Sequence, residues 1–142
     1  MTRVNSAIQP EVLCDQHLLA EYREMLRLIS HSFKHKSDPK TKIPSTFTLG
    51  TGHVMFFLNK GKFLLTRHKQ ICDELAKRGY QTTLSYSNHA DTYHNEYSTT
   101  MPEFNTLVER ITLRMPPLPK YYKQPVTQQF MIDKLKTSEI YK

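Results

Sequence analysis

The chain has 142 residues, with 20 Lys and Arg against 13 Asp and Glu and a net charge of +7. That length suits one domain able to bury a core, and no segment approaches the ~20 apolar residues of a membrane span. Two cysteines exclude a disulfide scaffold, and the basic surplus favours an anionic partner, nucleic acid ahead of membrane.

From the start, "MTRVN" places the small residue Thr2 after the initiator and shows no apolar run of signal-peptide length. A first helix is expected from about Pro10 or Glu11 to about Lys34. At ~100° per residue its apolar arc gathers Leu18, Leu19, Tyr22, Met25, Leu26, Ile29 and Phe33. Gln16, Arg23 and Arg27 fall together opposite that arc, with Glu24 and His17 on one flank roughly 60–100° round. Pro10 suits a first turn, and Glu11 and Asp15 suit the positive end of a helix. A charge run of this kind is usually a solvated face, and the residues alone leave that reading open beside a functional one.

"KHKSDPKTKIPST" reads as a loop, its lysines candidate phosphate contacts, and "TLGTGHVMFF" as a glycine turn followed by a buried apolar stub. The latter lacks the Gly-Lys-Ser/Thr ending of a phosphate-binding loop. Leu64, His68, Ile71, Cys72 and Leu75 mark a second helix at i, i+4, i+7, i+8, i+11, and Gly79 is its stop. Cys14 and Cys72, both within helical patterns, read as small buried hydrophobes, in keeping with a reducing, intracellular setting. Gln81 to Thr100 is polar and expected to be irregular. A third helix, about Pro102 to Arg114, buries Phe104, Leu107, Val108 and Ile111 and turns Arg110 and Arg114 outward, stacked four residues apart. "MPPLPKYYKQPV" breaks that helix, and a short helical tail is expected over Gln128 to Leu135. No strand of convincing length appears. The expected fold is all-α: a compact single domain of about three amphipathic helices with irregular loops.

Seven histidines raise the question of a metal, but no H-E-x-x-H arrangement occurs and the cysteines lie far apart. The histidines read as scattered surface residues, and no metal or other cofactor is expected. The N-terminus is more informative. Removal of Met1 would leave the α-amine of Thr2, and an α-amine titrates near ~7.7–8, well below lysine. Such an amine can attack carbonyl-like carbon and form an imine.

"MTRVN", then "DQHLLAEYRE" with Arg27, then "TLGTGHVMFF" and "LAKRGY", closely resemble the pyrimidine-dimer DNA glycosylases of bacteriophages and algal viruses, the endonuclease V family. The resemblance spans about residues 1–80 and returns more loosely around the third helix and "PKYYK". It implies that the amine of Thr2 attacks the sugar C1′ of the damaged nucleotide, leaving an imine, and that Glu24 serves proton transfer, including the β-elimination that nicks the strand. It implies DNA contacts from Arg3, Gln16, Arg23 and Arg27, and more loosely from Arg110, Arg114, Tyr121, Tyr122 and Lys123. The expected partner is lesion-bearing double-stranded DNA met by a monomer, with no membrane, inside the cell or in the host cytoplasm if the protein is virus-encoded. A carboxylate here would balance positive charge on the sugar at C1′, while arginines hold the phosphates in register.

The chain departs from the family where an aromatic segment typically reads Trp-Tyr-Lys-Tyr-Tyr-Gly. Here Leu118-Pro119-Lys120-Tyr121-Tyr122-Lys123 stands instead, with no Trp in the chain, and residues from about 124 to 142 read as a divergent extension. The alternatives are the same imine chemistry on another damaged or modified base, and a non-catalytic DNA-binding relative.

Overall fold

The computed structural model describes residues 4–35, 44–49, 52–57, 60–82 and 97–141. They form five α-helices: α1 (Asp15–His35), α2 (His53–Phe57), α3 (Gly61–Lys77), α4 (Met101–Leu113) and α5 (Gln128–Lys136). The fold is all-α, as expected. One small antiparallel hairpin, β1 (Lys120–Tyr121) and β2 (Gln124–Pro125), interrupts it, and no described helix is long and apolar enough to cross a membrane. Most of the expected phosphate-contacting loop (36–43) and most of the polar stretch from Gln81 to Thr100 lie outside the described residues.

α1 begins five residues later than Pro10. Pro10–Val12 makes a single 3-10 turn and Leu13 turns extended. The reason is competition for carbonyls: those of Pro10, Glu11 and Leu13 accept hydrogen bonds from Arg78 at 3.4, 3.2 and 2.7 Å and so do not serve a continuous helix.

α1 and α3 make the main helix pair. α1 buries Leu18, Met25, Leu28 and Ile29, with Leu19 and Tyr22 packed at the margin. The buried arc is rotated relative to the apolar periodicity, taking in Glu21 and Leu28 and leaving Leu26 half-buried. That rotation has a partner-based cause: Arg67 of α3 donates to both carboxylate oxygens of Glu21, at 2.9 and 3.1 Å, with both side chains fully buried. The side chain of Phe33 lies outside the described residues.

The expected stripe Leu64, His68, Ile71, Cys72 and Leu75 is buried on α3. Gly79 ends that helix at φ +87°, with Gly79 N–H on Ala76 O and Tyr80 N–H on Leu75 O, a left-handed C-terminal stop that favours glycine. Cys14 and Cys72 are free and buried, and burial pushes both thiols up. The histidines depart from expectation, because His53 and His68 are buried rather than at the surface.

α2 is the apolar stub after the glycine turn. Its Phe56 and Phe57 meet Phe47, Phe63 and Tyr97 in an aromatic cluster, mostly edge to face. α4 starts at a capping box between Thr100 and Glu103. The buried Glu103 carboxylate also accepts from the hydroxyls of Ser6 and Tyr97, tying α4 to the N-terminal segment. Residues after 124 join the core through Met131, Leu135 and Tyr141. Tyr141 N–H also donates to Ala7 O at 2.9 Å, beside an Ile8–Ile140 bridge.

Arg78 is fully buried between two carboxylates, 2.9 Å from Asp15 and 2.9 Å from Glu74. Removing one member of such a set strands the opposite charge, which costs about 3–5 kcal/mol. Arg78→Ala should lower the unfolding free energy in urea by that amount; a loss under about 1 kcal/mol would show that water replaces the guanidinium freely.

Candidate active site and nucleic-acid interface

The polar face of α1 carries two different arrangements. Glu24 is buried, its side chain 9% exposed, and Nη2 of Arg27 reaches both its oxygens at 2.9 and 3.0 Å. Arg27 itself is 70% exposed. The guanidinium is therefore open to a phosphate arriving from solvent, while Glu24 stays in place. Arg23 stands exposed on the same face.

Two turns earlier, Gln16 is already engaged. Its Nε2 donates to Leu118 O at 2.9 Å and its Oε1 accepts from Lys120 N–H at 2.9 Å. The carboxamide therefore clasps the proline-rich segment to α1. His17 lies beside it, its Nε2–H donating to Arg114 O at 3.1 Å, while Nδ1 is buried with no hydrogen-bond partner among the described residues. Burial holds this imidazole below its ordinary range, towards the neutral form, against the carbonyl of Arg114 and the charge of Glu21. The end of α4 thus abuts the polar face of α1. Arg110 and Arg114, with Leu49, Thr106, Glu109 and Leu113, line an open cleft of about 300 Å³ along α4.

The hairpin brings Tyr121, Tyr122 and Lys123 onto the body of the protein. Tyr122 and Lys123 both have positive φ, +53° and +65°, a conformation L residues adopt at a cost of about 1–2 kcal/mol each. Asp15 offsets that cost: its oxygens accept the N–H groups of Tyr122 and Lys123 at 3.1 and 2.8 Å. Arg78 lies 4.7 and 4.9 Å from the Tyr121 and Tyr122 ring centres. Tyr121 O–H donates to Glu11 O, Tyr122 O–H to Glu74, and Lys123 Nζ to Gly79 O. These side chains hold the hairpin in place, whatever else they touch.

Thr2 and Arg3 lie outside the described residues. Val4, next in the chain, is fully buried, and its N–H donates to His53 Nε2 at 3.1 Å. His53 Nδ1–H in turn donates to Thr48 O at 2.8 Å, which fixes the neutral tautomer with Nε2 as acceptor. One other amine is notable. Lys60 Nζ sits 3.9 Å over the Phe56 ring and donates to Phe56 O, and burial pushes its ammonium below the ordinary lysine range.

Sequence reasoning missed Asp15, Glu21, Arg67, Glu74, Arg78 and His53 as organisers of this surface. Asp15 reads from sequence as a helix-start charge, and only tertiary contact shows it facing Arg78. His53 was legible as a member of "TLGTGHVMFF" but not by role.

A basic helical domain, with a buried carboxylate tethered by a wet arginine beside further cationic side chains, is a surface suited to an anionic polymer. A family model described as pyrimidine dimer DNA glycosylase matches residues 1–88 of the chain. The chain belongs to this family and is a DNA glycosylase, with DNA as its substrate.

The hairpin anchor has a pH signature. Tyr80 O–H donates to Asp15 at 2.8 Å, and burial, followed by that bond and the carboxylate's charge, pushes its phenol from 10.0 up to about 12. The folded state holds this proton more tightly than the unfolded state does. Its stabilisation is therefore complete below about pH 10 and lost as pH rises through about 12. Urea unfolding should show a steeper decline over that window in the wild type than in Tyr80→Phe; identical slopes would remove Tyr80 from the anchor.

Proposed function

We propose that this glycosylase excises cyclobutane pyrimidine dimers from duplex DNA through the α-amine of Thr2, exposed once Met1 is removed, and then nicks the strand as an abasic-site lyase. The nitrogen lone pair bonds to C1′ as the glycosidic bond breaks, and the base leaves that sugar with the bonding electrons and takes up a proton, still joined to the neighbouring pyrimidine through the cyclobutane ring. Opening of the sugar gives a protonated imine. Loss of a C2′ proton then expels the 3′ phosphate by β-elimination.

The observation that carries this reading is Glu24, a buried carboxylate whose main ion-pair partner, Arg27, is mostly in water. When Arg27 moves to a phosphate, Glu24 is left to balance positive charge at C1′ and to pass protons between intermediates. Arg3, Arg23, Arg27, Arg110 and Arg114 hold phosphates in this scheme, so that the amine meets one carbon. The buried Val4–His53 contact supports it too, since it fixes the backbone two residues from the nucleophile. Gln16 takes a framework part, holding the segment from Leu118 to Lys120 against the same face. Tyr121, Tyr122 and Lys123 border the interface and meet DNA only with surface not already packed on Arg78, Glu74 and Gly79.

Borohydride should trap the processed protein covalently on irradiated duplex DNA, and much less on an undamaged duplex. One extra residue ahead of Thr2 should abolish trapping. Glu24→Gln should lower turnover about 100- to 10,000-fold while the Kd for the same duplex stays close to wild type. Undiminished turnover in either variant contradicts the mechanism. Trapping that favours a base-modified duplex over an irradiated one keeps the imine and moves the substrate.

A further inference from the structure

We infer that Leu118 is an apolar wedge that enters the DNA duplex near the lesion and unstacks a base step; the inference rests on the glycosylase reading above. Leu118 is 77% exposed and Leu113, at the end of α4, is 78% exposed. Single exposed leucines are ordinary on protein surfaces. What sets Leu118 apart is the backbone that carries it.

Pro116, Pro117 and Pro119 fix φ on both sides of Leu118. Gln128 Nε2 donates to the carbonyls of Met115 and Pro116. Gln16 holds Leu118 O and Lys120 N–H, and Val126 N–H donates to Pro119 O at 2.9 Å. Pro119 is buried. An apolar side chain is therefore held out into water on a segment fixed from both α1 and α5, with no packing contact in the core.

Its surroundings name the occupant. Gln16 shares the polar face of α1 with Arg23 and Arg27, Lys120 follows on the same segment, and Arg114 ends α4 one residue after Leu113. Cations at these positions suit phosphates, which an apolar tip between them cannot engage. Beyond the thymine methyl groups of the major groove, the large apolar surface a duplex can offer is the face of its bases, reached by partial unstacking. Unstacking costs a few kcal/mol per step, and a tip that gave way could not hold the step open. Preordered backbone removes the entropy of fixing the segment on binding. The return is a kinked duplex in which a buried sugar becomes reachable. Gln16 and Glu24 are eight residues apart on α1, roughly 12 Å, so the wedge should act within about four base steps of the engaged sugar at 3.4 Å per step.

The test uses the full-length protein and duplexes carrying a non-cleavable abasic analogue, with 2-aminopurine placed in turn at each of the four steps on either side. Wild type should brighten the probe at one step. Leu118→Ala, at a site too exposed to affect folding, should lose that brightening. It should also lower kcat/KM on irradiated duplex about tenfold or more, while the salt dependence of Kd, set by phosphate contacts, stays unchanged. Leu118→Phe should keep the brightening, and mismatches that pre-unstack the step should restore much of the Leu118→Ala rate. A Leu118→Ala protein that keeps either the brightening or the wild-type kcat/KM overturns the wedge. If wild type itself neither nicks irradiated DNA nor is trapped on it by borohydride, the glycosylase mechanism has failed first, which is a different result.

Discussion

Asp15 is the point at which three parts of this chain are tied together. Its carboxylate begins α1, pairs with Arg78 just beyond the end of α3, and accepts both N–H groups of the strained hairpin turn. Arg78 extends the same knot to the carbonyls of the N-terminal turn and to Glu74. A buried charge set of this kind is a weak source of net stability but a strict one, because each partner is needed by the others. It fixes where α1 begins, and with it the angular position of every side chain on its polar face.

That helix then uses two glutamates three residues apart in opposite ways. Glu21 gives both oxygens to Arg67 in a site where neither side chain meets water. Glu24 is nearly as buried, but its arginine is in solvent. Coulomb attraction at 3–4 Å is several-fold stronger in the interior than at the surface, and the two pairs differ accordingly in how readily they exchange. Glu21 and Arg67 form a strut. Glu24 and Arg27 can separate when a phosphate competes for the guanidinium, which makes this carboxylate the one suited to chemistry. Gln16, on the same face, does neither: its amide holds the rigid segment that presents Leu118.

Much of this was legible in the sequence because it rests on local rules. The stripe from Leu64 to Leu75, the stop at Gly79, the helix after Pro102 and the tail from Gln128 are periodicity and capping, and each stands where those rules put it. α1 starts later than local rules predict because carbonyls near Pro10 answer to Arg78, some 65 residues away. The hairpin at Tyr122 and Lys123 carries no Gly or Asn to announce its positive φ; the signal lies in Asp15, which nothing nearby in sequence connects to it. Likewise periodicity gives α1 a purely apolar arc, whereas the buried arc contains Glu21, because a charge with a dry partner behaves as core. The face bearing Arg23, Glu24 and Arg27 was legible as unusual, while the clasp of Gln16 and the anchoring of Val4 by His53 needed the fold.

The most direct test of the central claim is to identify the amine that bonds to DNA. After borohydride reduction on irradiated duplex, the adduct would be digested by protease and nuclease and its peptides weighed. The expected result is a deoxyribose remnant on the peptide that begins at Thr2, attached through its α-nitrogen. A remnant on a lysine instead, with Lys60 the foremost candidate because burial already lowers its ammonium, would contradict it.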